Sequence, residues 1–292
     1  MNEGWDVQYH YPDSPSAIGA IIRDLRQCDL IYRWGGRITL GKLLWVARSL
    51  GKKKLVMLWA GSDILFAKEQ HAAGKMDPWI RGMVHWAVSP WVAEEVRSIG
   101  LSCEYVKASF VAPVERPAPL PKAFSVLAYV PSLEKKKREL YGCGALLEVA
   151  HALPSMKFTI VGVKEGRIPN APSNVRVVGW VNDLTPYLNQ TTVVWRPVRH
   201  DGLSIMVLEA LARGRHVLYS YEFAGCIQAS GAAVAQKELE RLMALHRAGA
   251  LGLNQEGIEA VARDFTPEKA RAELQRRWEQ IILPSGAAIP AN

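Results

Sequence analysis

Several features that would assign the chain to other classes of protein are missing. No stretch approaches the ~20 consecutive apolar residues that a membrane-spanning helix needs, and residues 1–14 lack the basic and apolar regions of a secretory signal peptide. Four cysteines, Cys28, Cys103, Cys143 and Cys226, are scattered without the paired spacing of a zinc or redox site. We therefore expect reduced thiols and a cytoplasmic protein, either in solution or at the inner face of the membrane.

Charge also limits the range of partners. The chain has 36 Lys and Arg against 28 Asp and Glu, a net charge of +8. Both parts on either side of residue 121 are modestly basic, so the excess is interpreted as spread along the chain. This charge permits anionic ligands or peripheral contact with acidic lipid. A nucleic-acid partner is not expected, since no basic stripe with interleaved aromatic residues is present.

The stretch 191–221 is the most informative part of the sequence. Thr191–Val198 is rich in β-branched and aromatic residues and predicts a buried strand. A charged loop, 199–202, follows it. Leu203–Arg213 then predicts a helix that ends at a glycine, and His216–Tyr221 predicts a second buried strand.

Two carboxylates stand out in this stretch. Glu209 is alone in a helix that is apolar nearly all round, so it should have a hydrogen-bond donor as partner. Asp201 lies eight residues earlier, which is roughly 12 Å along a helix axis. That separation is too large for an acid/base pair on one bond. It suits the two ends of a long ligand whose anionic middle lies at the helix N-terminus, as in a nucleotide sugar.

The spacing of Asp201, seven residues and Glu209 resembles the donor-binding segment of glycosyltransferase family 4, retaining enzymes of the GT-B fold. The resemblance implies that Asp201 holds hydroxyls of the donor sugar and Glu209 those of the ribose. It also implies that Gly202, Leu203 and Ser204 offer backbone N–H groups to the diphosphate. The family carries Glu where Asp201 stands, which leaves the sugar preference open.

Strands alternate with helices on both sides of a proline-rich segment, which predicts two α/β domains with parallel sheets. The resemblance implies two Rossmann-like domains that face each other across a cleft, the GT-B arrangement. We expect an acceptor-side domain, a stiff linker, a donor domain and a C-terminal helix that crosses back to the first domain. Their predicted bounds are 1–112, 113–122, 123–265 and 266–292.

Positive side chains are candidates for the diphosphate. Arg196, at the end of a strand, and Arg199 flank the proposed phosphate position. The cluster after the first strand of the donor domain stands where the family has an Arg/Lys pair, and its candidates are Lys135, Lys136 and Arg138. The spacing does not decide which of them meets the diphosphate.

Candidates on the acceptor side follow strands of the first domain, where ligands bind in open α/β sheets. Trp59 suits either sugar stacking or the core, and Asp63 either an acceptor hydroxyl or a turn. The full set is Gly35, Gly36, Trp59, Gly61, Ser62 and Asp63.

The predicted function is retaining transfer of a sugar from a UDP- or GDP-linked donor to a sugar, glycan or lipid-linked acceptor. No cofactor or metal is expected. The chain departs from the family at Ala60, where many members have His. We expect its first strand at Gly4–Tyr9, without the family's usual first strand and glycine-rich loop. The alternative is a degenerate GT-B protein that binds a nucleotide sugar or glycan, or supports a partner, without turnover. A hydrolase elbow at Gly202–Met206 is disfavoured because Met206 replaces the second glycine.

Overall fold

The computed structural model of the chain describes residues 6–10, 15–52, 54–163 and 166–283. The chain divides into two compact units. The first comprises Met1–Val106 and Ala272–Asn292, and the second Lys107–Arg271. No helix within the described ranges is long and apolar enough to cross a membrane.

The first unit is built on a parallel sheet of four strands in the order β1-β2-β3-β4. Its central strand LVMLW is buried at every position, as expected for a parallel strand covered on both faces. The elements are α1 (Pro15–Gln27), β1 (Ile31–Trp34), α2 (Lys42–Ser49), β2 (Leu55–Trp59), α3 (Asp63–Ala72), α4 (Pro78–Arg81), β3 (Val84–Ala87), α5 (Pro90–Ser98) and β4 (Cys103–Tyr105).

The second unit contains a parallel sheet of six strands in the order β10-β9-β8-β5-β6-β7. Strands β5 and β8 lie side by side at its centre, so the loops that follow them open at the same edge. The elements are β5 (Ser125–Tyr129), α6 (Lys135–Leu140), α7 (Cys143–Ala152), β6 (Lys157–Val161), β7 (Val175–Gly179), α8 (Thr185–Asn189), β8 (Val193–Arg196), α9 (Ile205–Ala212), β9 (His216–Tyr219), β10 (Cys226–Gln228), α10 (Ala232–Arg247) and α11 (Gln255–Asp264).

The final helix, α12 (Pro267–Ile282), returns the chain to the first unit. Arg277 Nη1 lies 2.6 Å from Glu104 Oε2. The Trp278 ring meets the Tyr32 ring edge-on, with 5.4 Å between the ring centroids. An ion pair and an aromatic contact therefore join the helix to strands of the first sheet.

The proline-rich segment packs on the second unit. Arg215, which is fully buried, donates hydrogen bonds to the carbonyl oxygens of Ala118 and Pro119. The amide of Val111 donates to the carbonyl oxygen of Phe265 at 2.9 Å. A buried guanidinium thus ties segment 113–122 to the start of β9.

The prediction of two α/β units with parallel sheets is confirmed. Two short elements, α6 and β10, were not predicted as such. The strand expected over Gly4–Tyr9 is not formed by residues 6–9, and the remainder of that range lies outside the described residues. Residues 6–9 are exposed, including the apolar side chains of Val7 and Tyr9.

Candidate functional site

A pocket of about 830 Å³ opens at the carboxyl edge of the second sheet. Parallel sheets place the loops of successive βα units at this edge, which is where ligands of open α/β folds bind. The residues that line it are Leu133, Lys135, Arg138, Glu139, Gly142, Gly144, Ala145, Pro197, Val198, Arg199, Ser220, Tyr221, Ser230 and Gly231.

Gly142 brings two walls of this pocket together. Its φ of +64° is a left-handed conformation that favours glycine. A Cβ at this position would overlap the carbonyl oxygen of Pro197, which follows β8. The turn between α6 and α7 therefore lies directly against the loop after β8, and the positive charges of both segments face one space.

Three of the predicted cations line the pocket, namely Lys135, Arg138 and Arg199. Lys136 does not line the pocket. It occupies the next position on α6, turned about 100° around the helix axis. Arg138 Nε is buried and has no hydrogen-bond partner within the part of the chain that the structure describes. The pocket therefore has three positive side chains in its lining.

Arg196 and Asp201 form an ion pair below the pocket wall. Arg196 Nε donates to Asp201 Oδ2 at 2.9 Å, and both side chains are largely buried. The Arg196 guanidinium lies over the rings of Tyr141 and Tyr129, at 4.8 Å and 5.6 Å from their centroids. Burial alone would lower the pKa of Arg196, but the contact with Asp201 outweighs it and raises the pKa. Arg196 therefore carries its full charge in a dry environment.

The carboxylate of Asp201 has several further contacts. Oδ2 accepts a hydrogen bond from the Tyr219 hydroxyl at 3.2 Å, and Oδ1 one from the Gly202 amide at 3.1 Å. The Asp201 amide donates to the hydroxyl of Tyr221, a residue of the pocket lining, at 3.2 Å. Burial, followed by the charge of Asp201, raises the pKa of Tyr219, which therefore stays protonated as a donor. Asp201 is thus an organising residue of this edge.

Glu209 lies on the open side of α9. Most of the helix is buried, but Ile205, one turn earlier on the same side, is 47% exposed. Burial raises the pKa of Glu209, and the charge of Arg213 opposes that shift. Its carboxylate receives no hydrogen bond from the residues described, so the donor partner predicted for it is not present there. A partly desolvated carboxylate on an accessible helix face is available to ligand hydroxyls.

The segment Gly202–Ser204 leads into α9. Ser204 is the N-cap residue and makes no side-chain cap hydrogen bond, and the first turn has no acidic residue. Gly202 donates back to Asp201, whereas the amides of Leu203 and Ser204 donate to no group in the described ranges. The helix terminus therefore keeps N–H groups for an acceptor.

The acceptor-side candidates lie at the carboxyl edge of the first sheet, and for Trp59 and Asp63 the structure favours one of the two roles that the sequence left open. Trp59 is fully buried, and its Nε1 donates to His85 Nδ1 at 3.1 Å, so its ring belongs to the core. Gly36 allows this packing, since a Cβ there would overlap the Trp59 ring. Sugar stacking on Trp59 is therefore excluded for this conformation.

Asp63 organises the loop that contains Gly61 and Ser62. Its two carboxylate oxygens accept hydrogen bonds from the amides of Gly36, Ala60, Gly61 and Ile64 at 2.5–3.1 Å. Four bonds to backbone leave little capacity for an acceptor hydroxyl. The turn role is the one that the structure supports. Gly35 and Gly61 both have positive φ, at +88° and +134°.

The sequence did not single out the four tyrosines around Arg196 and Asp201. Tyr129, Tyr219 and Tyr221 lie at or just beyond the ends of β5 and β9, and Tyr141 lies in the turn after α6. For Tyr129, Tyr219 and Tyr221, the position at the end of a predicted strand was the feature of the sequence that could have identified them. Among the described residues, no group of three His, Cys, Asp or Glu side chains is placed to hold a metal ion.

A match to a known family covers most of the second unit. Residues 125–245 match the family described as Glycosyl transferases group 1. That range includes the whole pocket lining and the Asp201–Glu209 segment. No curated protein matches the chain.

Several solved structures share the fold of the chain. Anabaena HepE in complex with UDP-glucose is 12% identical with a TM-score of 0.65, and the match covers 94% of this chain and 85% of that one. Sucrose-phosphate synthase from Thermosynechococcus elongatus is 15% identical with a TM-score of 0.60, over 96% and 82%.

TarM of S. aureus is 11% identical with a TM-score of 0.63, and the match covers 90% of this chain but only 58% of TarM. All three are glycosyltransferases of the GT-B fold. The predicted fold class is therefore confirmed.

Proposed function

We propose that the protein is a retaining glycosyltransferase that moves a sugar from a UDP- or GDP-linked donor to a sugar, glycan or lipid-linked acceptor. The observation that carries this proposal is the pocket lined by Lys135, Arg138 and Arg199. It opens at the carboxyl edge of a parallel sheet, within the residues that match Glycosyl transferases group 1. We place the protein in the cytoplasm, in solution or at the inner face of the membrane.

In this proposal the three pocket cations bind the diphosphate. Arginine can hold two phosphate oxygens at once, and the unused Arg138 Nε is suited to that role. The amides of Leu203 and Ser204 add donors at the N-terminus of α9, where the helix dipole also favours an anion. Lys136 is left out of this assignment, because it does not line the pocket.

Glu209 is assigned to the ribose hydroxyls, since its carboxylate is accessible and has no described donor. Asp201 is assigned to the edge of the donor sugar, with Arg196 holding it in position at 2.9 Å. One oxygen of Asp201 accepts from both Arg196 and Tyr219, so a sugar hydroxyl would bind at Oδ1 in competition with the Gly202 amide. Arg196 is therefore a positioning residue.

The chemistry breaks the bond between the anomeric carbon and the phosphate oxygen and forms a bond from that carbon to the acceptor oxygen. The acceptor proton passes to the departing phosphate on the same face. The chain then needs no nucleophile. Its contribution is to stabilise the negative charge that develops on the leaving diphosphate and to hold both substrates in place.

UDP-glucose is the first donor to test, because the HepE structures contain UDP-glucose, or UDP with glucose. A thermal-shift panel of UDP, GDP and their glucose and mannose conjugates tests the proposal. A bound nucleotide at 100 times its dissociation constant stabilises the fold by about 2.7 kcal/mol. We expect one base to raise the unfolding temperature. A panel with no response would contradict the proposal.

A nucleotide-sugar-binding protein without turnover is the second candidate. The contacts of Asp201 favour it, since its carboxylate already bonds Arg196, Tyr219 and Gly202. Radiolabelled donor incubated with a cell extract separates the two candidates. Transfer or donor hydrolysis supports the enzyme, whereas saturable binding with neither supports the binding protein.

A further inference from the structure

Most of the net charge of the chain comes from one short region. Residues 15–54 contain nine Lys and Arg but only Asp24 and Asp29 as acids, a net charge of +7 against +8 for the whole chain. The interpretation that the excess is evenly spread is therefore wrong at this scale. Two of these cations, Arg33 and Arg37, lie at the carboxyl edge of the first sheet, where Trp34 is 62% exposed.

The two guanidinium groups have few contacts. Arg33 Nε donates to the carbonyl oxygen of Gly35 at 3.0 Å, and Arg37 Nη2 donates to Thr39 Oγ1 at 3.3 Å. Arg37 Nε is buried and receives no partner within the described part of the chain. Each guanidinium has five N–H donors, so most of this capacity is unused.

Arg33 lies in β1 and Arg37 three positions beyond the end of that strand, and their positive charges act on each other. Burial lowers the pKa of Arg33 and the charge of Arg37 lowers it further, while Asp63 acts in the opposite direction. Asp63 does not neutralise the pair, because its oxygens accept four backbone N–H groups and form no ion pair with either arginine in the described structure. Two like charges held together without an ion-pair partner favour an anion between them.

The surroundings of Arg37 add to the positive potential of the two arginines. Its guanidinium lies over Gly41, the N-cap residue of α2. That helix has no acidic residue in its first turn and no side-chain cap hydrogen bond. The positive end of the helix dipole therefore opposes the charge of Arg37 and does not offset it.

We propose that Arg33 and Arg37 together bind a phosphate group, so that the acceptor of the transfer reaction is a phosphorylated molecule. Calling this molecule the acceptor rests on the function proposed above, whereas the phosphate site itself does not. A phosphate suits the pair because its oxygens can accept from both planar guanidinium groups. The phosphate group belongs either to a sugar phosphate in solution or to a lipid.

Calorimetric titration of the full-length protein with glucose 6-phosphate tests the site, with glucose as the neutral control. We expect glucose 6-phosphate to bind and glucose not to bind. Arg37→Gln should weaken binding about tenfold or more, because it removes charge-assisted hydrogen bonds, and Arg37→Lys should recover part of the loss. Arg26→Gln, an exposed arginine in the same basic region, should bind as the wild type does.

The same titration of Arg138→Gln distinguishes the two sheet edges. A loss confined to Arg138→Gln would place the phosphate in the second unit and overturn the proposal. Equal affinity in all variants would overturn it as well. Thermal unfolding of each variant shows that it is folded before it is titrated.

Co-sedimentation with phosphatidylcholine vesicles, with and without phosphatidic acid, distinguishes the two sources of phosphate. Binding that needs phosphatidic acid and is lost in Arg37→Gln but not in Arg26→Gln assigns a lipid phosphate. Binding of glucose 6-phosphate without vesicle binding assigns a soluble acceptor. Equal loss in both variants indicates general charge attraction and contradicts a site. If no nucleotide raises the unfolding temperature in the thermal-shift panel, the proposed transferase function is contradicted. The phosphate-binding results of this subsection do not depend on that outcome.

Discussion

The carboxyl edges of the two sheets differ in whether their loops leave space for a ligand. At the second edge the loops surround a pocket of about 830 Å³ lined with three cations. At the first edge Trp59 fills the corresponding space, and Asp63 uses its oxygens on backbone amides. An aromatic residue at a strand end, or an acid in a glycine-rich loop, is therefore not a binding residue until its side chain is shown to be accessible.

The largest expected effect concerns the filled edge. Trp59→Ala should lower the free energy of unfolding by about 3–5 kcal/mol, because it leaves a cavity in the core. Trp34→Ala, at the exposed end of the neighbouring strand, should change it by about 0.5 kcal/mol or less. Urea unfolding of both variants measures the difference. Equal small losses would mean that Trp59 is accessible after all.

Asp63→Ala should cost about 2–3 kcal/mol of unfolding free energy, since several buried amides lose their acceptor. Ser62→Ala is the control, because Ser62 is exposed and makes no side-chain cap hydrogen bond. The same urea experiment applies. An Asp63→Ala protein of unchanged stability with impaired transfer would restore the acceptor role of Asp63.

At the open edge, Arg138→Gln should weaken nucleotide diphosphate binding about tenfold, or about 1.4 kcal/mol. Lys136→Gln removes the same charge two positions earlier on α6, outside the pocket lining. Its affinity should stay near that of the wild type. Calorimetry on both variants decides between a pocket contact and a general charge effect.

A smaller effect should appear with pH at the filled edge. Burial lowers the pKa of His85, whose Nδ1 accepts from Trp59. The neutral form is therefore favoured in the fold, so its contribution is complete above about pH 6.5 and is lost as the pH falls below that value. Between about pH 7 and about pH 5.5 the loss should be about 1 kcal/mol.

Urea unfolding across this pH range measures the effect. His85→Gln should flatten the dependence of stability on pH. Burial also lowers the pKa of His216, in the second unit. His216→Gln should therefore remove a further contribution to the dependence of stability on pH. An unchanged slope in His85→Gln would contradict the neutral assignment.

Local sequence predicted the secondary structure where it has one strong pattern. Strand β8 and helix α9 lie within their predicted ranges, Thr191–Val198 and Leu203–Arg213. Helix α6 was missed because KKKREL has no apolar face, and β10 because three residues carry no periodicity.

The candidate site was predicted less completely, for a different physical reason. Lys135, Arg138 and Arg199 line one pocket because Gly142 lets the turn after α6 pack against the loop after β8. The meeting of the three cations is a tertiary contact that no local pattern encodes. The burial of Trp59 likewise depends on Gly36, 23 positions earlier in the chain.

A crystal soaked with UDP-glucose, or with GDP-mannose if the panel favours guanine, tests the central claim most directly. The account predicts a diphosphate in contact with Arg138 or Arg199 and with the amides of Leu203 and Ser204, and ribose hydroxyls at Glu209. A nucleotide bound elsewhere, or a diphosphate that contacts none of these groups, would contradict it.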